Sequence, residues 1–182
     1  MSVSEGKTAV FLLNMGGPDS MEAIRPSLEN LFSDPEILRF PCSRWLQKPL
    51  GGRIARARAV KGAEHYKVMG GKSPLGEATR AQADALAALL GPEYSVHVAM
   101  RYWHPFADEA VREAKAQGVD RLVVLPLYPH YSRATTGTSL LDLEKALERG
   151  GLGGGTASGD CGRRLASGVR GREAWAAGAR GP

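Results

Sequence analysis

Cysteine is scarce in this 182-residue chain: there are two, Cys42 and Cys161, far apart and in no CxxC pair. That excludes a zinc-ribbon or iron–sulfur motif and leaves nothing for a disulfide framework, so a reducing compartment is expected. Long apolar runs are missing too; none approaches the ~18–20 residues of a membrane-crossing helix. The first residues, Met1–Lys7, are polar and lack the apolar stretch of a signal peptide. These absences predict a cytoplasmic protein, with peripheral contact at a membrane surface as a secondary expectation. An excess of one charge is absent from most of the chain. Residues 1–148 carry 18 Lys and Arg against 17 Asp and Glu, while residues 149–182 carry six Arg against Asp160 and Glu173. The pI of about 9.4 therefore belongs mostly to the end of the chain, and nucleic acid is not an expected partner.

What is present is a regular alternation of short apolar runs and helical patterns. Thr8–Asn14 is continuously apolar and stops at Gly16-Gly17-Pro18, which predicts a strand buried on both faces and then a turn. Met21–Phe32 has a helical pattern, with Pro26 arguing for a break or a late start. Arg53–Val68 has helical composition, and its basic face (Arg53, Arg56, Lys61) reads as a solvated surface. Leu75–Leu90 is an Ala/Leu-rich helix ended by Gly91-Pro92. Tyr94–Met100 and Arg121–Leu127 read as strands, Pro105–Gln117 and Thr138–Leu147 as helices. Strands alternating with helices predict an α/β fold: a parallel sheet with helices on both faces. Ligands of such sheets sit beyond the carboxyl ends of the strands. Three loops fall on that edge, Asn14–Asp19, Arg101–Pro105 and Tyr128–Gly137, and the Gly70–Pro74 loop is placed to join them.

From Arg149 the character changes. The last 34 residues hold 11 of the 23 glycines, have no periodicity, and carry Trp175 as their one aromatic residue. Such a segment buries too little apolar surface to offset the entropy of ordering it. Residues 1–148 are therefore read as the folded domain and 149–182 as a disordered tail. Its Gly/Ala/Arg composition is also what GC-rich codons yield in a wrong frame, and a genuine flexible extension is the alternative.

Each edge loop carries chemistry of low specificity by itself. The paired glycines after the first strand lack both GxGxxG spacing and a P-loop lysine; they suit either close approach to a flat ligand or a tight turn. Gly70-Gly71-Lys72-Ser73-Pro74 offers a hydroxyl and backbone N–H groups before a helix, suited to an anion or to simple capping. Arg101-Tyr102-Trp103-His104-Pro105 sets a cation beside aromatic rings, which suits a planar anionic ligand. His104 reads as a structural hydrogen-bonder, and neither His65, His97 nor His130 has a partner at metal-ligand spacing. Tyr128–Ser139 packs two Tyr, five hydroxyl residues and Arg133 at a strand-to-helix junction, suited to a polar ligand or to N-capping.

Taken together and in order, these segments resemble the ferrochelatase family. Leu-Asn-Met-Gly-Gly-Pro (Leu13–Pro18), Gly-Gly-x-Ser-Pro (Gly70–Pro74), Met-Arg-Tyr-Trp-His-Pro (Met100–Pro105) and Leu-Tyr-Pro-His-Tyr-Ser-x-x-Thr-Thr-Gly-Thr-Ser (Leu127–Ser139) carry the resemblance, which runs from about Lys7 to Leu147. It implies one of two Rossmann-like, chelatase-type halves, and a lyase of haem biosynthesis that inserts ferrous iron, its substrate, into protoporphyrin IX or coproporphyrin III. By the same resemblance Met15 faces the porphyrin near the metal, and Ser73 contacts the propionates. Arg101 and Tyr102 line the cleft, and Tyr131, Ser132 and Thr135 line the pocket. Arg133 stands where iron–sulfur members place a cluster cysteine, so no cluster, resident metal or other cofactor is implied. The family's metal-site His, in a Ser-Ala-His-Ser-Leu-Pro-like motif, and its carboxylate partner match nothing in this sequence. No catalytic or metal-binding residue is therefore expected here. The chain by itself is expected to be inactive, with a porphyrin- or anion-binding half-domain as the alternative reading.

Overall fold

The computed structural model describes residues 7–38 and 44–152. The expectations for the tail beyond Leu152, and both cysteines, lie outside the described residues. Strand β1 (Lys7–Asn14) is the middle of a three-stranded parallel sheet of order β2-β1-β3, between β2 (Tyr94–Met100) and β3 (Val119–Pro126). Its central position explains its sequence. Ala9, Phe11 and Leu13 point to one face and Val10 and Leu12 to the other, and all are buried, so no polar alternation is tolerated. The long crossover from β1 to β2 holds α1 (Ile24–Phe32), α2 (Arg44–Val68) and α3 (Leu75–Leu90). Helix α4 (Ala107–Ala116) links β2 to β3, and α5 (Thr138–Gly150) follows β3.

The two faces of the sheet are covered unequally. On one, Phe11 and Leu13 meet Ala110, Val111 and Ala114 of α4 and Leu143, Ala146 and Leu147 of α5. On the other, Val10 and Leu12 meet Ala83 and Leu86 of α3. Helix α3 covers β1 and β2 but not β3, so Val123 and Leu125 remain 47% and 44% exposed. The third strand is thus an edge strand with one bare face. Helices α1 and α2 pack chiefly on each other rather than on the sheet.

The boundaries differ from the sequence reading for identifiable reasons. Helix α1 starts at Ile24, not Met21, which places Pro26 in the first turn, where a missing N–H costs nothing. Helix α2 begins at Arg44, nine residues before its expected start, and contains Pro49. Helix α5 runs to Gly150 rather than Leu147: Arg149 makes a forked contact with Asp108 of α4, and Leu152 packs against the core.

Candidate functional site

At the carboxyl ends of β1 and β3 an open groove of about 700 Å³ runs along α3. Its walls are Leu12, Asn14 and Met15 from β1 and the loop after it, Leu75, Ala78, Thr79, Gln82 and Leu86 from α3, and Leu125, Leu127, Tyr128 and Pro129 from β3 and the loop after it. The lining is mostly apolar because α3 leaves this part of the β3 face uncovered. Its polar floor is internally satisfied: Asn14 Nδ2 donates to Thr79 Oγ1 (3.0 Å), and the Thr79 hydroxyl donates to the Leu75 carbonyl (2.7 Å).

The loops around it are bound to each other, and the glycines explain how. A Cβ on Gly16, at φ +80°, would lie 3.0 Å from the Trp103 nitrogen, and one on Gly17 would lie 2.5 Å from Ser73 Oγ. The paired glycines therefore serve loop-to-loop packing and the turn. Ser73 donates its N–H to the Pro18 carbonyl (2.7 Å), and its hydroxyl accepts the Leu75 N–H (3.3 Å). The Gly70–Pro74 loop does join the edge loops, and Ser73 caps α3 there. The Arg101 and Tyr102 amides donate to the carbonyls of Asn14 and Met15, both at 2.9 Å.

Arg101 and Tyr102 have internal partners. Both reach Asp34, a residue just beyond α1 whose carboxylate is nearly inaccessible at 5%. Its Oδ2 accepts from Arg101 Nη2 (2.8 Å), the Tyr102 hydroxyl (2.9 Å) and the Thr138 hydroxyl (2.9 Å). Its Oδ1 accepts the Glu36 N–H (2.9 Å), the local turn that Asp before Pro favours. Arg101 Nε also donates to Thr138 Oγ1 (2.7 Å). Burial opposes ionisation of Asp34, but the Glu36 amide, the Tyr102 hydroxyl, the Arg101 charge and Thr138 outweigh it and hold its carboxyl below the usual 3.8. Burial, reinforced by the Asp34 charge, pushes the Tyr102 hydroxyl up, so it stays a neutral donor. Burial likewise raises Asp142, against the pull of Arg101 3.8 Å away.

Of the residues expected to contact ligand, Met15 alone lines the groove. Ser132 and Thr135 are brought together, hydroxyl to hydroxyl at 2.7 Å, at a π-helical turn (Arg133–Gly137) leading into α5, and Tyr131 is 55% exposed beside them. Arg133 bridges to Glu36 at 3.2 Å. His104 pairs with Glu109 (2.9 Å), whose carboxylate also accepts the Phe106 N–H at the start of α4, so it acts as a structural hydrogen-bonder. His97 is buried against Ser95 and Glu113, and burial lowers its pKa. Sequence reading missed Asp34 and Thr79, and named Tyr128 and Thr138 only as members of the Tyr128–Ser139 loop. Tyr128 donates or accepts at Ser139 Oγ (2.8 Å), and burial raises its hydroxyl. Of Asp34 and Thr79, only Asp34 left a trace, its Asp-Pro pair, and that trace reads as a turn. Among the described residues no three His, Cys, Asp or Glu side chains converge as a metal site.

Fold and groove together define an α/β protein with a largely apolar groove at the carboxyl edge of a parallel sheet, where ligands of such sheets bind. A family model described as Ferrochelatase matches residues 7–156. A ferrochelatase from Picosynechococcus sp. is 53% identical over 143 residues, covering 77% of this chain and 37% of that protein. One from Synechococcus elongatus is 49% identical over 147 residues, covering 79% and 38%, and one from Sulfurihydrogenibium sp. is 47% identical over 147 residues, covering 81% and 43%. The chain belongs to the ferrochelatase family, and it spans well under half the length of these relatives.

Proposed function

We propose that this chain forms one wall of a porphyrin cleft in a cytoplasmic enzyme of haem biosynthesis that inserts ferrous iron into protoporphyrin IX or coproporphyrin III. The observation that carries the reading is the groove itself: an apolar slot, bounded by Met15 and Tyr128, at the sheet edge of a chain whose family is named for iron chelation. A macrocycle laid along α3 would bury apolar area on Leu75, Leu125 and Leu127, with Met15 facing its centre. Ser73 sits at the α3 start, where its hydroxyl accepts the Leu75 N–H and has its own hydrogen to offer a propionate. Tyr131, Ser132 and Thr135 offer hydroxyls on the next loop. Tyr102, only 3% exposed, contributes through Asp34 rather than by direct contact, and Arg101, with its side chain 24% exposed, is held by the same carboxylate.

Metal insertion also needs a base for the pyrrole protons. Among the described residues, no histidine or carboxylate lines the groove. The wall therefore binds and orients, and the 182-residue chain by itself does not metalate. Anaerobic mixing with ferrous iron and either porphyrin, followed by visible absorbance, tests both halves of this reading. A shifted porphyrin band without metalation is expected. Turnover above an inert-protein control overturns the inactivity, and no band shift overturns the cleft wall.

A further inference from the structure

We propose that Asp34 is a positioning residue that locks the Arg101–Tyr102 loop to the start of α5, and so sets the loops that border the groove. It rests on the cleft reading for its consequence in ligand binding, but the lock stands on geometry alone. One oxygen of a 5%-exposed carboxylate collects donors from residues 67, 68 and 104 positions away. Those donors lie on the two segments that matter. The Tyr102 N–H holds the Met15 carbonyl, and Thr138 directly follows the Arg133–Gly137 turn. The segment that supplies Asp34 follows α1, whose own packing is mainly with α2, so the carboxylate also pins that hairpin to the sheet edge. Asn30 Nδ2 on the Tyr102 carbonyl (3.2 Å) and Arg133 on Glu36 tie the same elements from either side.

Energetics favour geometry over bulk stability as what the charge supplies. Desolvating Asp34 and part of Arg101 offsets much of their attraction, so well-packed apolar residues would hold the fold about as well. What apolar residues would not do is fix three hydrogen-bonding angles at one oxygen. Arg101 is consequently neutralised internally and is not the clamp for an anionic ligand.

The test uses the whole chain. Asp34→Asn keeps the shape and removes the charge. Hydrogen exchange is expected to quicken about tenfold at the 100–102 and 133–138 amides, as for loss of one charged hydrogen bond, and to stay unchanged in β1. Porphyrin titration by absorbance is expected to weaken about tenfold for Asp34→Asn, and Asp34→Asn is expected to have a smaller effect in an Arg101→Met background. Thr138→Val, which deletes one arm, should reproduce the α5-side exchange in a smaller degree and serves if Asp34→Asn does not fold. Uniform quickening in β1 as well, or an undiminished effect of Asp34→Asn in Arg101→Met, overturns the lock. Local quickening with unchanged porphyrin affinity overturns its role in setting the groove. If the wild-type chain shifts no porphyrin band, the cleft reading falls, and the exchange pattern still decides the lock.

Discussion

The middle of β1 and its carboxyl end are built from different materials. From Ala9 to Leu13 every side chain is buried among aliphatic and aromatic neighbours, and none needs a partner of defined geometry. One residue further on, Asn14 begins a rim of directed bonds, through Thr79, Met15, Arg101 and Asp34. The first region tolerates any filling of the right volume; the second tolerates few exchanges, because angles decide it. Stability is thus concentrated in the sheet, and the shape of the site at its edge.

Substitutions can break that contrast at either end. The largest effect is expected in the core. Phe11→Ala, at a fully buried position, should cost about 3–5 kcal/mol, which urea denaturation would read as a much lower midpoint. If the loss is under about 1 kcal/mol, the sheet is not the seat of stability. Next comes Asp34→Ala, which strands the Arg101 guanidinium with its 24% exposure; about 2–3 kcal/mol is expected, less than for a fully buried pair. Acid should reveal the same residue. The Asp34 carboxyl is depressed in the fold, so its contribution is complete above its unfolded value of 3.8 and is lost as pH falls through the lower folded value. Wild type should therefore lose stability more steeply than Asp34→Asn below about pH 4. Parallel acid curves would remove Asp34 from the account.

Gly17→Ala sharpens the contrast at the rim. Its Cβ would meet Ser73 Oγ, so Ser73 must move; about 1 kcal/mol is expected in melting, with a larger change in porphyrin titration. The smallest stability effect belongs to Leu125→Ser, on the bare face of β3, where less than about 0.5 kcal/mol is expected. Because Leu125 lines the groove, weaker porphyrin binding should accompany that near-neutral stability. Equal loss of both would mean that β3 is covered after all.

Much of the fold was legible because periodicity reports burial. The unbroken Thr8–Asn14 run marked a central strand, and Gly91-Pro92 marked the end of α3, where Gly91 sits at φ +82°. The Arg44 start of α2 was not legible, since Pro49 argues locally against a helix there. The exposure of Val123 and Leu125 was hidden for a related reason: Leu-Val-Val-Leu looks the same whether or not a helix reaches it. The site divided likewise. Met15 could be placed from its strand-end position and the Ser73 loop from its place before α3, whereas the partners of Arg101 could not, because Asp34 and Thr138 lie 67 and 37 residues away.

By itself, then, the amino-acid order determined the alternation of strands and helices, the parallel sheet, the edge that carries the loops and the family to which the chain belongs. These follow from local periodicity and from four ordered motifs. Only the tertiary structure decided that Arg101 is spent on Asp34, that the paired glycines bring loops into contact, and that one face of β3 stays bare. Each depends on which distant groups meet at a given distance and angle, and no local pattern encodes that.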